Sequence, residues 1–174
     1  MTARIADFIA GAPTASLIAK PASPDLGPLI HGVTVTALSV GKDGRGQLNE
    51  LLTERDGPID PIVHVYQVFA EPGSLRGWVY HKQQDDRLAF TTGAFRVVLF
   101  DIREDSPTKG MLNVFQFGEK LRVTLRIPAY VVHGVKNEGT DAASFVNMPT
   151  RVYDPANPDK HRLPPDSSLI PYSF

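Results

Sequence analysis

Residues 121–127, Leu-Arg-Val-Thr-Leu-Arg-Ile, alternate apolar and polar side chains without a break. Successive side chains of a β-strand point to opposite faces, so this stretch reads as a strand with one face in a core and the other in water. Short segments of strand character recur along the chain, over residues 32–40, 48–53, 62–70, 75–81, 88–92, 94–102, 112–117, 130–135 and 143–148. Turn chemistry separates them. Asp43-Gly44-Arg45-Gly46, Pro72-Gly73 and Ser106-Pro107 supply the backbone angles that tight turns need. Helical spacing is confined to residues 3–10, through Ile5, Phe8 and Ile9. About ten short strands with almost no helix predict an all-β sandwich or barrel. Residues 95–101 are nearly all apolar, which predicts a central strand. The expected organisation is one domain over residues 32–174. A helix and arm over residues 1–31 precede it, and its last part, from Pro149, is a proline-rich coil. The arm is either a surface tail or a segment that crosses onto a second subunit.

Composition narrows the function. A net charge of -1 gives no argument for nucleic acid or an anionic membrane as partner. The absence of cysteine removes disulfides, zinc–thiolate sites and thiol nucleophiles. No run approaches the roughly 20 apolar residues of a membrane span. The first fifteen residues, interrupted by Asp7 and with Arg4 as their only basic side chain, make a poor signal peptide. The expected location is cytoplasmic.

Two segments concentrate the chemistry. In residues 78–81 the alternation puts Trp78 and Tyr80 on one face and Val79 and His81 on the other. Residues 127–134 form a second segment that ends in His133-Gly134. If both line one barrel, His81 and His133 face one interior, and small-molecule sites favour the mouths of such barrels.

These segments, taken in order, resemble a known family. Asp43-Gly44-Arg45-Gly46 followed by Glu50, Leu75-Arg76-Gly77 before an aromatic-rich strand, Phe100-Asp101-Ile102-Arg103 with Ser106-Pro107-Thr108, and Ile127-Pro128 before His133-Gly134 are similar to the RmlC-type cupins. These are the dTDP-4-dehydrorhamnose 3,5-epimerases of sugar-nucleotide biosynthesis. The resemblance implies a cupin-type jelly roll, a homodimer with partly exchanged strands, and a nucleotide-diphosphate sugar or related small anion as ligand. It implies that Arg76 holds the diphosphate and that Arg45 and Glu50 reach the nucleotide. His133 matches the barrel histidine, and Asp166 matches an aspartate that orients the base. The family's base position holds Val79 and its tyrosine position holds Asn147.

The expectation is therefore a sugar-nucleotide-binding protein whose epimerase or isomerase chemistry is weak, unless His81 serves as a displaced base with Asp166 or His133 as its orienter. Tyr80 and Asn147 join Arg45, Glu50 and Arg76 as candidate ligand contacts. The alternatives are a non-catalytic small-molecule-binding cupin and a metal-dependent cupin enzyme. Many cupins hold a metal through His-x-His, a following carboxylate and a late histidine. Here that pattern reads Val79, His81, Asp85 or Asp86, and His133. With the first histidine replaced and the carboxylate in a charged turn over residues 82–87, no metal and no cofactor are expected. His31, His64 and His161 read as structural.

Overall fold

The computed structural model describes residues 5–7 and 18–174. The expected helix over residues 3–10 lies mostly outside them. Within them Ile5–Asp7 is a single 3-10 turn.

The described residues form two five-stranded antiparallel sheets and a small three-stranded one. The strands, in chain order, are β1 (Ile18–Ala19), β2 (Thr34–Ala37), β3 (Ser39–Asp43), β4 (Gly46–Glu50), β5 (Tyr66–Ala70), β6 (Leu75–Tyr80) and β7 (Asp86–Phe90). They continue as β8 (Ala94–Asp101), β9 (Leu112–Gly118), β10 (Val123–Ile127), β11 (Val131–Asn137), β12 (Ala143–Asn147) and β13 (His161–Arg162). The first large sheet runs β2-β10-β7-β12-β5, the second β13-β6-β11-β8-β9, and β1-β3-β4 form the third. Neighbours that are distant in sequence make this a jelly roll rather than a simple meander.

The main core fills the space between the two large sheets. Phe90, Phe95, Phe117 and Phe145 meet there with ring centroids 5.2–5.8 Å apart around Phe90. Truncating one such ring typically costs about 3–5 kcal/mol. The apolar run at residues 95–101 follows from burial on both faces. Phe95, Val97 and Leu99 enter the main core, while Val98 and Phe100 join a second cluster with Trp78, Val132 and Ile170. The C-terminal residues Tyr172 and Phe174 pack on that outer cluster. They cover the face of β8 that carries Val98 and Phe100, and β8 lies inside its sheet between β11 and β9.

Several boundaries differ from the sequence reading. The expected strand over residues 32–40 is two strands, β2 and β3, separated at Leu38. Of the extended run over residues 62–70, only Tyr66–Ala70 pairs, as the edge strand β5. The charged turn expected at residues 82–87 ends early, because Asp86 and Arg87 already belong to β7. That strand is buried at every position between β10 and β12. Arg87 is accommodated because its Nε donates to the Met148 carbonyl and its Nη1 to the Asp60 carbonyl. The packed body also reaches back into the expected arm. Ile30 is buried in the main core, and Leu26 and Leu29 pack against it.

Candidate functional site

A cavity of about 670 Å³ lies between the two large sheets. Strands β6 and β11 form one wall. Their register pairs His133 with Val79, so His81, two residues further on, is the diagonal neighbour of His133 on the same face. The two imidazole centroids stand 5.9 Å apart. Close approach of these strands depends on glycine: a Cβ on Gly77 would lie 2.9 Å from the Gly134 Cα.

The opposing sheet supplies a carboxylate between the two rings. Asp86, the first residue of β7, places Oδ2 3.3 Å from His81 Nε2 and 3.4 Å from His133 Nε2. Its Oδ1 accepts from Gln84 Nε2 at 3.0 Å and from Asn147 Nδ2 at 3.2 Å. The same Asn147 amide donates to the Tyr66 hydroxyl at 2.8 Å, across the Asn147–Tyr66 register pair of β12 and β5. A chain of polar groups thus runs from a phenol through an amide and a carboxylate to two imidazoles. Elsewhere in the ring system, His81 Nδ1 bonds the Asp159 carbonyl and His133 Nδ1 the Val131 carbonyl.

The charges follow from these contacts. Burial alone would lower the pKa of His81, but Asp86 and the Asp159 carbonyl outweigh it and raise the value above that of a free histidine. Burial dominates at His133 and lowers its pKa, with Asp86 opposing. Burial would raise the pKa of Asp86; the two histidines and the Asn147 amide hold it down at about 2. Burial raises the pKa of Tyr66, and Asp86 adds to the shift. Lys160, an exposed residue that lines the same cavity, has its pKa lowered by desolvation first and by Arg162 second. Arg76 also lines the cavity and donates from Nη2 to the Phe69 carbonyl at 3.1 Å.

The structure brings His81, His133, Asn147 and Arg76 together at this cavity. It does not bring Asp166 there. That residue lies exposed in the C-terminal tail, and the carboxylate beside the imidazoles is Asp86. The proline-rich tail gives no fixed spacing from which to place Asp166, so sequence position is a poor guide there. Tyr80 lies on the opposite face of β6, as strand alternation requires, stacked on Tyr130 and His161. Arg45 pairs with its neighbour Asp43 on the β3–β4 hairpin, and Glu50 pairs with Arg55; neither lines the cavity of its own chain. Asp85 accepts from Arg126 and the Ala129 amide, outside the cavity. The sequence reading offered Asp86 only as one of two carboxylates for a metal, and it missed Tyr66 and Lys160. The inward alternation of Asp86 with Leu88 was the available signal for Asp86. His64, read as structural, lines the cavity with its ring 5.3 Å from Tyr66.

Comparison with known proteins agrees with this architecture. The model of the dTDP-4-dehydrorhamnose 3,5-epimerase family matches residues 29–169. The spore coat polysaccharide biosynthesis protein SpsL of Bacillus subtilis (strain 168) is 34% identical over 146 residues, covering 84% of this chain and 97% of the relative. The probable low-salt glycan biosynthesis epimerase Agl13 of Haloferax volcanii is 38% identical over 142 residues, covering 80% of this chain and 90% of its own length. Among solved structures, a dTDP sugar isomerase from Desulfovibrio desulfuricans G20 superposes with a TM-score of 0.77 at 26% identity, covering 83% of this chain and 91% of that one. Matched over most of its length in sequence and in fold, the chain belongs to the dTDP-4-dehydrorhamnose 3,5-epimerase family.

Proposed function

We propose that the chain is a sugar-nucleotide epimerase or isomerase that binds a nucleotide-diphosphate sugar in this cavity and moves a proton beside a keto group. The observation that carries the reading is the joining, in one cavity, of basic side chains with an imidazole–carboxylate centre and a phenol. Arg76, Lys160 and Arg162 supply positive charge for a diphosphate. Family membership and the likeness to a dTDP sugar isomerase support dTDP as the nucleotide.

The residues take roles by geometry. His81 Nδ1 is tied to a main-chain carbonyl, so Nε2 is the nitrogen that takes the proton. The C–H bond breaks, an N–H bond forms, and the electron pair moves to the carbonyl oxygen. Asp86 stabilises the imidazolium that results, and Lys160 is the cavity's ammonium for the enolate oxygen. Tyr66 returns a proton from the other side, standing in for the tyrosine that Asn147 replaces. His81 and Tyr66 thus supply what Val79 and Asn147 cannot.

Arg45 and Glu50 complete the nucleotide site of a second copy in a dimer. Support comes from the exposed apolar side chains Leu48, Ile62, Val63, Val65 and Phe69 on and beside the β4 hairpin and edge strand β5. No described helix is long and apolar enough to cross a membrane.

The test is calorimetry with dTDP, followed by NMR of a dTDP-4-keto-6-deoxy sugar after incubation. Arg76→Ala should weaken dTDP binding roughly ten- to hundredfold, the loss of a charged contact of about 1.5–3 kcal/mol. Wild type should yield a product with an inverted centre. An unchanged sugar alongside intact dTDP binding would replace this reading with that of a non-catalytic binder.

A further inference from the structure

Main-chain carbonyls accept hydrogen bonds and never donate them. The Nδ1 atoms of His81 and His133 both face such carbonyls, those of Asp159 and Val131. Each ring therefore carries its proton on Nδ1 when neutral, and each Nε2 keeps a free lone pair. Both Nε2 atoms then point at the same carboxylate oxygen, 3.3 and 3.4 Å away. With both rings neutral, three acceptors converge with no donor between them, which is the electrostatic outline of a site for a proton or a metal cation.

The two nitrogen–oxygen distances, 3.3 and 3.4 Å, are those of ligands that share one ion. The three donor atoms all lie within 4.8 Å of one another. Nitrogen and oxygen ligands about 2.0–2.2 Å from a metal stand roughly 3.0–3.5 Å apart in octahedral or tetrahedral coordination. The supports are those of a preorganised centre: each imidazole is oriented through its other nitrogen, and Asp86 Oδ1 is held by Gln84 and Asn147. Asp86 is only 3% exposed and sits on a strand between two others, not in a loose turn. The expectation of no metal rested on the replaced first histidine and on a carboxylate in such a turn, and the structure removes the second of these grounds.

We propose that His81 Nε2, His133 Nε2 and Asp86 Oδ2 bind one divalent first-row transition ion per chain. Two imidazoles and a carboxylate suit iron, manganese, cobalt, nickel or zinc. The ion's remaining positions face the cavity, where a ligand oxygen or water completes the shell. Metal and proton compete for the same lone pairs, so the base role of His81 belongs to the metal-free chain. The metal site does not rest on the sugar reaction and is measured without sugar.

The experiment titrates Co²⁺ into chelator-stripped full-length protein, read by visible absorption, and Zn²⁺, read by calorimetry. One ion per chain is expected for wild type and for Asp85→Asn, whose side chain lies outside the cluster. His81→Ala, His133→Ala and Asp86→Asn should each abolish the Co²⁺ spectrum, with circular dichroism reporting that the fold persists. Gln84→Ala should fold normally and weaken binding about ten- to hundredfold, as loss of an outer support does. Wild type that takes up no stoichiometric Co²⁺ or Zn²⁺ overturns the site, as does uptake that survives both His81→Ala and Gln84→Ala. Stripped protein that still inverts the sugar while binding no ion overturns the metal site alone. Ion uptake without any sugar inversion, with or without the metal, overturns the proposed reaction alone.

Discussion

One carboxylate oxygen, Asp86 Oδ2, sets the relation between the two histidines, and a second buried aspartate sets a corner of the fold. Asp101 is fully buried at the end of β8. It accepts from Arg103 Nε and Nη2 at 2.8 Å, from Ser106 Oγ at 2.6 Å and from Thr108 Oγ1 at 2.7 Å. Burial would raise its pKa; these hydrogen bonds overcome that and hold it well below the usual carboxylate range. The sign of the pH effect follows. A carboxyl whose pKa is lower folded than unfolded adds stability above the unfolded value of about 4, and that contribution fades as pH falls towards the folded value. Asp101→Ala should cost about 1.5–3 kcal/mol at neutral pH, since it takes the carboxylate acceptor from a half-buried guanidinium and two hydroxyls, and should flatten the acid side of the stability profile. Urea unfolding at a series of pH values measures both. At this scale the chemistry was half legible in sequence. His81 and His133 declare themselves by type and strand position, while Arg76 and Asn147 were named through the family resemblance. Asp86 entered the sequence reading only as one of two carboxylates near His81, and Tyr66 gains meaning only from a partner 81 residues away, which no local pattern reports.

Among the elements, β7 shows why charge is an unreliable sign of a turn. Asp86 and Arg87 are strand residues because neighbouring strands supply carbonyls, an amide and imidazoles for them. The turn between β6 and β7 is held in the same way from the C-terminal segment. Asp159 accepts from the Lys82 amide at 2.9 Å and the Gln83 amide at 2.7 Å, while its own carbonyl receives His81 Nδ1. Two residues later β13 pairs with β6, matching His161 to Tyr80 and Arg162 to Val79. A tail that reads as coil therefore positions the central histidine. Asp159→Ala should remove two charge-assisted hydrogen bonds, worth about 1.5–3 kcal/mol each before solvent recovers part of it. Amide hydrogen exchange at residues 82 and 83 should accelerate while that of β8 and β11 stays slow. Unchanged protection at 82 and 83 would show that the aspartate does not hold the turn. The strands themselves were largely legible, since alternation and Gly/Pro turns carry period and punctuation. Their ends were not, because pairing partners decide where an extended segment stops.

For the molecule as a whole, the cavity exists because two sheets of different composition face each other. One brings β6 and β11 with the histidines; the other brings β5, β7 and β12 with Tyr66, Asp86 and Asn147. Neither sheet alone has a complete proton-transfer set. An all-β sandwich or barrel was readable from the spacing of the strands and the jelly roll from the family resemblance; the largely apolar β8 was readable from its composition, though its second buried face is explained only by the returning C-terminus. The central claim is that this assembly removes and returns a proton beside a keto group, with His81 as base and Tyr66 as acid. Mass spectrometry of a dTDP-4-keto-6-deoxy sugar incubated in D₂O with chelator-stripped protein measures it most directly. Wild type should add deuterium, His81→Ala should slow incorporation by about 10²–10⁴-fold, and Tyr66→Phe should retain incorporation while losing inversion. No incorporation by wild type that binds dTDP, or incorporation undiminished in His81→Ala, would contradict the account.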